Sequence, residues 1–239
     1  MRIAMWSGPR NLSTAMMYAF GARDDMAVID EPFYAAYLAA TGLKHPMRAA
    51  ILESQPSDPD AVVRALTGPI PAERPHFYQK HMCQHMLPGF PRGWMAQVTN
   101  VFLVRHPARV IESFGKKYDN PTLADIGFMQ QTELFEWVQA SGASPVVIDS
   151  ADIRRDPEGM LRVLCAALGL DWDPAMLSWS KGGHADDGVW APHWYAAVHR
   201  STTFAGPEGD LPKLAGDAKR LLDLAMPHYE AFAKIRLRG

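Results

Sequence analysis

Cysteine is scarce in this chain: only Cys83 and Cys165 occur in 239 residues. They fall in different expected elements, which excludes a disulfide framework and a four-cysteine zinc site. No apolar run approaches the roughly 20 residues needed to span a bilayer. The chain also opens directly on a short strand, without a charged leader segment. The expectation is a cytoplasmic protein with no membrane partner. An excess of one charge is missing too, since 24 Lys and Arg face 26 Asp and Glu for a formal net charge of −2. That balance argues against a nucleic-acid binder but leaves room for a local basic pocket. There are no internal repeats, heptads or low-complexity tracts. One sizeable core fits the length, so residues 1–239 are expected to form a single domain.

One further absence lies in the first loop. Arg2 to Trp6 reads as a buried strand, Ser7-Gly8-Pro9-Arg10-Asn11-Leu12 breaks it, and Ser13-Thr14 opens the helical run Ala15 to Phe20. The loop lacks the Gly-Lys of the ATP/GTP pattern G-x-x-x-x-G-K-[ST], because Asn11-Leu12 stand there. Strand, tight loop and helix start nevertheless present backbone N–H groups and a positive dipole end to a phosphate or sulfate. Arg10 adds a planar permanent charge suited to the same oxyanions. An ordinary βα turn with a serine cap has the same pattern, so a phosphate site needs support from elsewhere.

Further strands are expected at Met26–Asp30, His76–Gln79, Thr99–Val104 and Val146–Asp149, with helical stretches between them. Helices are expected at 35–40, 60–66, 108–118 and 157–168, the last stopped by Gly169. Another is expected from a Thr122 cap to about Ala140, and a final one over 215–235 kinked or restarted at Pro227. This alternation predicts an α/β fold with a central, mostly parallel sheet flanked by helices on both faces. Open sheets of this kind place ligands at the C-terminal strand ends. There the chain carries Glu31, Lys80-His81 and Arg105, and these are expected to converge with the opening loop. Eight residues after Arg105, about two turns into the next helix, Ser113 offers a hydroxyl to the same anion. His81 and His85 are four apart around Cys83, which on a helix would put two imidazoles on one face for zinc, but no third ligand follows.

Together these residues resemble the sulfotransferases that use 3′-phosphoadenosine 5′-phosphosulfate (PAPS), relatives of the P-loop nucleotide kinases. Ser7 to Thr14 is similar to their 5′-phosphosulfate loop, P-[KR]-S-G-T-[ST], with Leu12 where that loop has glycine. Arg105-His106-Pro107-Ala108-Arg109-Val110-Ile111-Glu112-Ser113 resembles their 3′-phosphate motif. The stretch from Val147 to Glu158, continuing to Leu170, resembles the family's strand, "E-D-L", "D-P" and helix. Asp187-Gly188-Val189-Trp190 resembles the late Gly-x-Trp region that helps close over the nucleotide. The resemblance spans roughly residues 2 to 205 and implies a P-loop NTPase-like three-layer fold.

It also implies sulfuryl transfer from PAPS, without a metal, to a hydroxyl or amine of a small-molecule or carbohydrate acceptor. Arg10, Asn11, Leu12, Ser13 and Thr14 would hold the 5′-phosphosulfate, Arg105 and Ser113 the 3′-phosphate, and Gly188 and Trp190 the nucleotide. Lys80 would neutralise the leaving oxygen. Glu31 is the first choice as general base, with His81 its rival. Segments of about 41–75 and 180–205 are expected to form a lid and shape the acceptor site. The competing readings are a P-loop nucleotide-binding protein or small-molecule kinase, and a binding module without catalysis, which Leu12 favours. A branched-chain or pyridoxal-phosphate enzyme lacks a recognisable Schiff-base lysine context.

Overall fold

The computed structural model describes residues 1–116 and 118–239. Five strands, β1 (Arg2–Ser7), β2 (Met26–Asp30), β3 (His76–Met82), β4 (Thr99–Val104) and β5 (Val146–Asp149), form one sheet in the order β2-β3-β1-β4-β5. Every pairing is parallel. The helices are α1 (Ser13–Gly21), α2 (Tyr34–Thr41), α3 (Arg48–Ser54), α4 (Pro59–Thr67) and α5 (Pro107–Gly115). They continue with α6 (Phe128–Ala140), α7 (Ser150–Arg155), α8 (Pro157–Leu168), α9 (Ala191–Trp194) and α10 (Gly216–Ile235).

The period of two in β1 divides the core. Ile3 and Met5 face a layer containing α1 and α8, whereas Ala4 and Trp6 face α4, α6 and α10. Both faces of the sheet are therefore covered, as an all-parallel sheet requires. Register carries this division into β3, where Met5 pairs with Lys80 and Trp6 with His81.

Several local expectations change. β3 runs on to Met82, so Lys80 and His81 lie inside the strand and point to opposite faces. Thr122 does not cap α6. It forms a separate turn with Asp125, and the helix begins after Gly127, which is left-handed at φ 74°. α5 ends at Gly115, and Lys117, within the expected 108–118 helix, lies outside the described residues. α10 runs unbroken through Pro227. α3 adds a helix that the proline-rich context of the sequence concealed. Among the described residues no helix is long and apolar enough to cross a membrane, and both cysteines are free and buried.

Candidate active site

The β1–α1 loop sits at the centre of the sheet, above the C-terminal strand ends. Arg10 and Leu12 both adopt left-handed backbone, at φ 64° and 75°, and alternate with ordinary residues. This alternation gathers successive N–H groups into a concavity at the start of α1, where the first-turn amides have no intrahelical acceptor. Leu12 thus takes a left-handed backbone of the kind glycine favours, while its side chain packs against the core beside α1. Two contacts brace the loop. Asn11 Nδ2 donates to the Leu103 carbonyl at 3.2 Å, and a Cβ on Gly8 would lie 2.6 Å from the Ile126 carbonyl oxygen.

Arg10 and the β4–α5 junction meet over this loop. Arg10 Nε donates to Ser113 Oγ at 2.9 Å, and Arg105 Nη1 donates to the Arg10 carbonyl at 2.6 Å. Pro107 at the first turn of α5 and the His106 ring, which accepts from Ala108 N–H, fix where that helix starts and so where Ser113 falls. Burial and then the neighbouring charge of Arg105 lower the pKa of Arg10. Positive charge is thus concentrated here.

The second centre lies where β2 and β3 end. Lys80 is 1% exposed and donates to Asp30 Oδ1 at 2.7 Å, Glu31 Oε1 at 2.6 Å and Tyr195 Oη at 2.7 Å. All three ammonium N–H groups are taken. Tyr195 in turn accepts from Trp190 Nε1 at 2.9 Å and donates to Asp30 Oδ2 at 2.8 Å. The Gly188 N–H also donates to Asp30, at 3.1 Å. Burial raises the pKa of Asp30 despite Lys80, while Lys80, which burial alone would lower, is held up by the two carboxylates. Glu31 itself has φ 40°, which turns its second oxygen, Oε2, to within 3.8 Å of His85 Nδ1.

Both centres open onto one cavity of about 560 Å³. Its lining falls into two sets. Arg10, Asn11, Leu12, Ser13, Thr14, Arg105 and Arg154 form a polar, cationic set. Tyr34, Tyr37, His45, His85 and Trp194 form an aromatic set, with Glu31, Lys80 and Tyr195 also on the wall.

Of the residues expected from sequence, Glu31, Lys80, Arg10 to Thr14 and Arg105 share this cavity, and Ser113 reaches it through Arg10. His81 does not join them. It lies on the opposite face of the sheet, stacked on Trp6 at 4.4 Å and 2% exposed, because β3 continues past Lys80. The histidine that meets Glu31 on the cavity is His85, in a turn after β3, sandwiched between Tyr34 at 4.4 Å and Tyr37 at 4.8 Å. Burial, then the charges of His45 and Lys80, push its pKa well down, so the ring is neutral. With one imidazole on each face the pair does not chelate, and no metal-binding cluster is found among the described residues.

Gly188 and Trp190 are also absent from the cavity wall. Trp190 is 1% exposed and packs on Tyr34, and a Cβ on Gly188 would strike its ring at 2.1 Å. The pair anchors Tyr195 instead. Within 41–75 only residues 43–46 reach the cavity, while α4 places Val62 and Leu66 beneath the sheet. Of 180–205, residues 193–195, 197, 198, 201, 203 and 205 line it.

Comparison with known proteins agrees with this architecture. The family model described as "Sulfotransferase domain" matches residues 1–236. The chain therefore belongs to the sulfotransferase domain family. Among solved structures, the sulfotransferase domain of the Synechococcus PCC 7002 olefin synthase superposes with TM-score 0.54 at 19% identity over 94% of both chains. That of the curacin biosynthetic pathway gives TM-score 0.56 at 15% identity over 94% of this chain and 96% of the other. At these identities the likeness is one of fold. Two Arabidopsis thaliana proteins, branched-chain-amino-acid aminotransferase-like proteins 2 and 1, are 35% and 36% identical over 86% and 95% of this chain. The chain corresponds to only 36% and 40% of their lengths.

Proposed function

We propose that this chain transfers a sulfuryl group from PAPS to a hydroxyl or amine of a small-molecule or carbohydrate acceptor. The observation that carries the reading is one cavity holding both a cationic loop and a buried carboxylate. The left-handed Arg10 and Leu12 aim the loop amides at one point, and Arg10 and Arg105 supply charge beside them. That set fits the 5′-phosphosulfate and the 3′-phosphate of the donor.

In this mechanism Glu31 accepts the proton of the acceptor O–H or N–H as its oxygen or nitrogen bonds to sulfur. The bond from sulfur to the bridging oxygen breaks, and the electron pair remains on the 5′-phosphate. Arg10 and the N-terminus of α1 offset that charge, since positioned dipoles and cations supply most of the stabilisation in such transfers. Lys80 has no free N–H and serves to orient and neutralise the carboxylate pair. His85 stands in the place expected for His81, as a neutral ring able to take the same proton. Tyr34, Tyr37 and Trp194 offer the acceptor an apolar, flat-sided wall.

Calorimetry with adenosine 3′,5′-bisphosphate on the wild type and Arg105→Ala tests the donor. Binding that disappears in the variant is expected. Turnover of PAPS against an acceptor panel should then fall about 10²–10⁴-fold in Glu31→Gln. Binding of ATP·Mg²⁺ in preference to the bisphosphate would establish a nucleotide-binding protein or kinase instead.

A further inference from the structure

Residues 204–215 form a strap with neither helix nor strand. Phe204 anchors one end in the core, edge-on to Trp179 at 5.2 Å, and Leu214 packs at the other end against the α5–α10 cluster. Between them Glu208 turns inward, its side chain 5% exposed, and meets three guanidiniums from three different elements. Arg105, just after β4, pairs with Oε1. Arg154 of α7 donates to the same oxygen at 2.6 Å, and Arg109 Nε of α5 lies 2.9 Å from Oε2. The arginines also hold the strap's backbone, Arg154 Nε donating to Gly206 O at 2.8 Å and Arg109 to Gly209 O.

A single carboxylate does not satisfy this site. Three cations face one anion, with Arg10 close by. Glu208 Oε2 and Arg105 Nε are buried without a hydrogen bond. A phosphate group offers three oxygens and a second negative charge, and guanidinium forks match its geometry. Arg105 and Arg154 also line the cavity, so a ligand held there reaches this cluster without leaving it.

We propose that Arg109 and Arg154 complete, with Arg105, a phosphate subsite, and that Glu208 is an internal placeholder displaced with its strap when the ligand's phosphate arrives. The identity of that phosphate, the 3′-phosphate of the donor, rests on the function proposed above. The strap lowers the apparent affinity by the fraction of molecules in which the subsite is open. It also keeps three mutually repelling guanidiniums together when no ligand is bound.

The test is calorimetry on the wild type, Glu208→Gln and Glu208→Gln/Arg154→Ala with three probes: adenosine 3′,5′-bisphosphate, adenosine 5′-monophosphate and inorganic phosphate. Glu208→Gln should bind the bisphosphate and inorganic phosphate at least tenfold more tightly, with the monophosphate changed less than twofold. Adding Arg154→Ala should remove that gain. Should Glu208→Gln not fold, Glu208→Asp, one methylene shorter, must move affinity in the same direction by a smaller factor. Bisphosphate binding that is unchanged or weaker in the Glu208 variants would overturn the placeholder and make Glu208 a fixed strut. If no protein binds the bisphosphate, the donor reading falls and inorganic phosphate decides: a tenfold gain upholds the placeholder, and no gain overturns it.

Discussion

Lys80→Met leaves the Asp30 and Glu31 carboxylates facing one another with their shared cation gone and the space still filled. Lys80 and Asp30 are each 1% exposed, so water cannot replace the ammonium. Removing one partner of such a pair costs about 3–5 kcal/mol, against a total stability of about 5–15 kcal/mol. For a domain of this size that corresponds to a fall of about 6–20 °C in Tm. The loss should depend on pH. Burial already raises the pKa of Asp30, and Lys80 is the main influence pulling it back. A carboxyl with a raised folded pKa contributes stability that is complete below its unfolded pKa and lost as pH rises through the folded one. The Lys80→Met penalty is therefore largest near pH 8 and shrinks towards pH 5, where Asp30 can be protonated. Urea unfolding at the two pH values measures it, and Asp30→Asn/Glu31→Gln/Lys80→Met should recover most of the loss. A penalty below about 1 kcal/mol at pH 8, or one equal at both pH values, would refute the charge-pair reasoning.

Two further outcomes follow from the same geometry. Gly8→Ala brings a Cβ to 2.6 Å from the Ile126 carbonyl, where the backbone has to move; thermal unfolding should show a loss of about 1–3 kcal/mol, and wild-type stability would mean that the 126–127 turn is not braced by the loop. Burial above all, with the Lys80 ammonium adding to it, holds His81 down at about 3. Its contribution to stability is complete above the ordinary histidine pKa and is lost as pH falls from there, at up to about 1.4 kcal/mol per pH unit; His81→Phe should therefore lose less stability than the wild type between pH 7 and pH 5, and parallel losses would place the ring in water.

The parallel sheet was legible because its strands are short apolar runs that end in ionisable or breaker residues. Pro107 and Gly169 likewise marked helix ends that the structure keeps. The β1–α1 loop was legible in part: its order of strand, breaker and hydroxyls was readable, whereas the left-handed backbone at Leu12 was hidden by a side chain that rarely adopts it. The length of β3 was not readable. Gln79, Lys80 and His81 are polar and suggest a strand end, yet all three are buried and paired, and three more strand residues decide which of them meets the cavity. Glu208 had no signal at all. It lies in a Gly-Pro stretch that reads as solvated loop, and only tertiary packing brings Arg105, Arg109 and Arg154 to it.

Tyr195 also ties two properties that enzymes often vary separately. It stands on the wall formed by the 191–198 segment, and its hydroxyl closes the bonding of Lys80, Asp30 and Trp190. A substitution that reshapes that wall for a bulkier acceptor also disturbs the ammonium that balances Asp30 and Glu31. Under the proposed function, selection for a new acceptor is thus simultaneously selection on acid–base behaviour, and a laboratory search for altered acceptor range should return variants whose pH profiles have shifted as well.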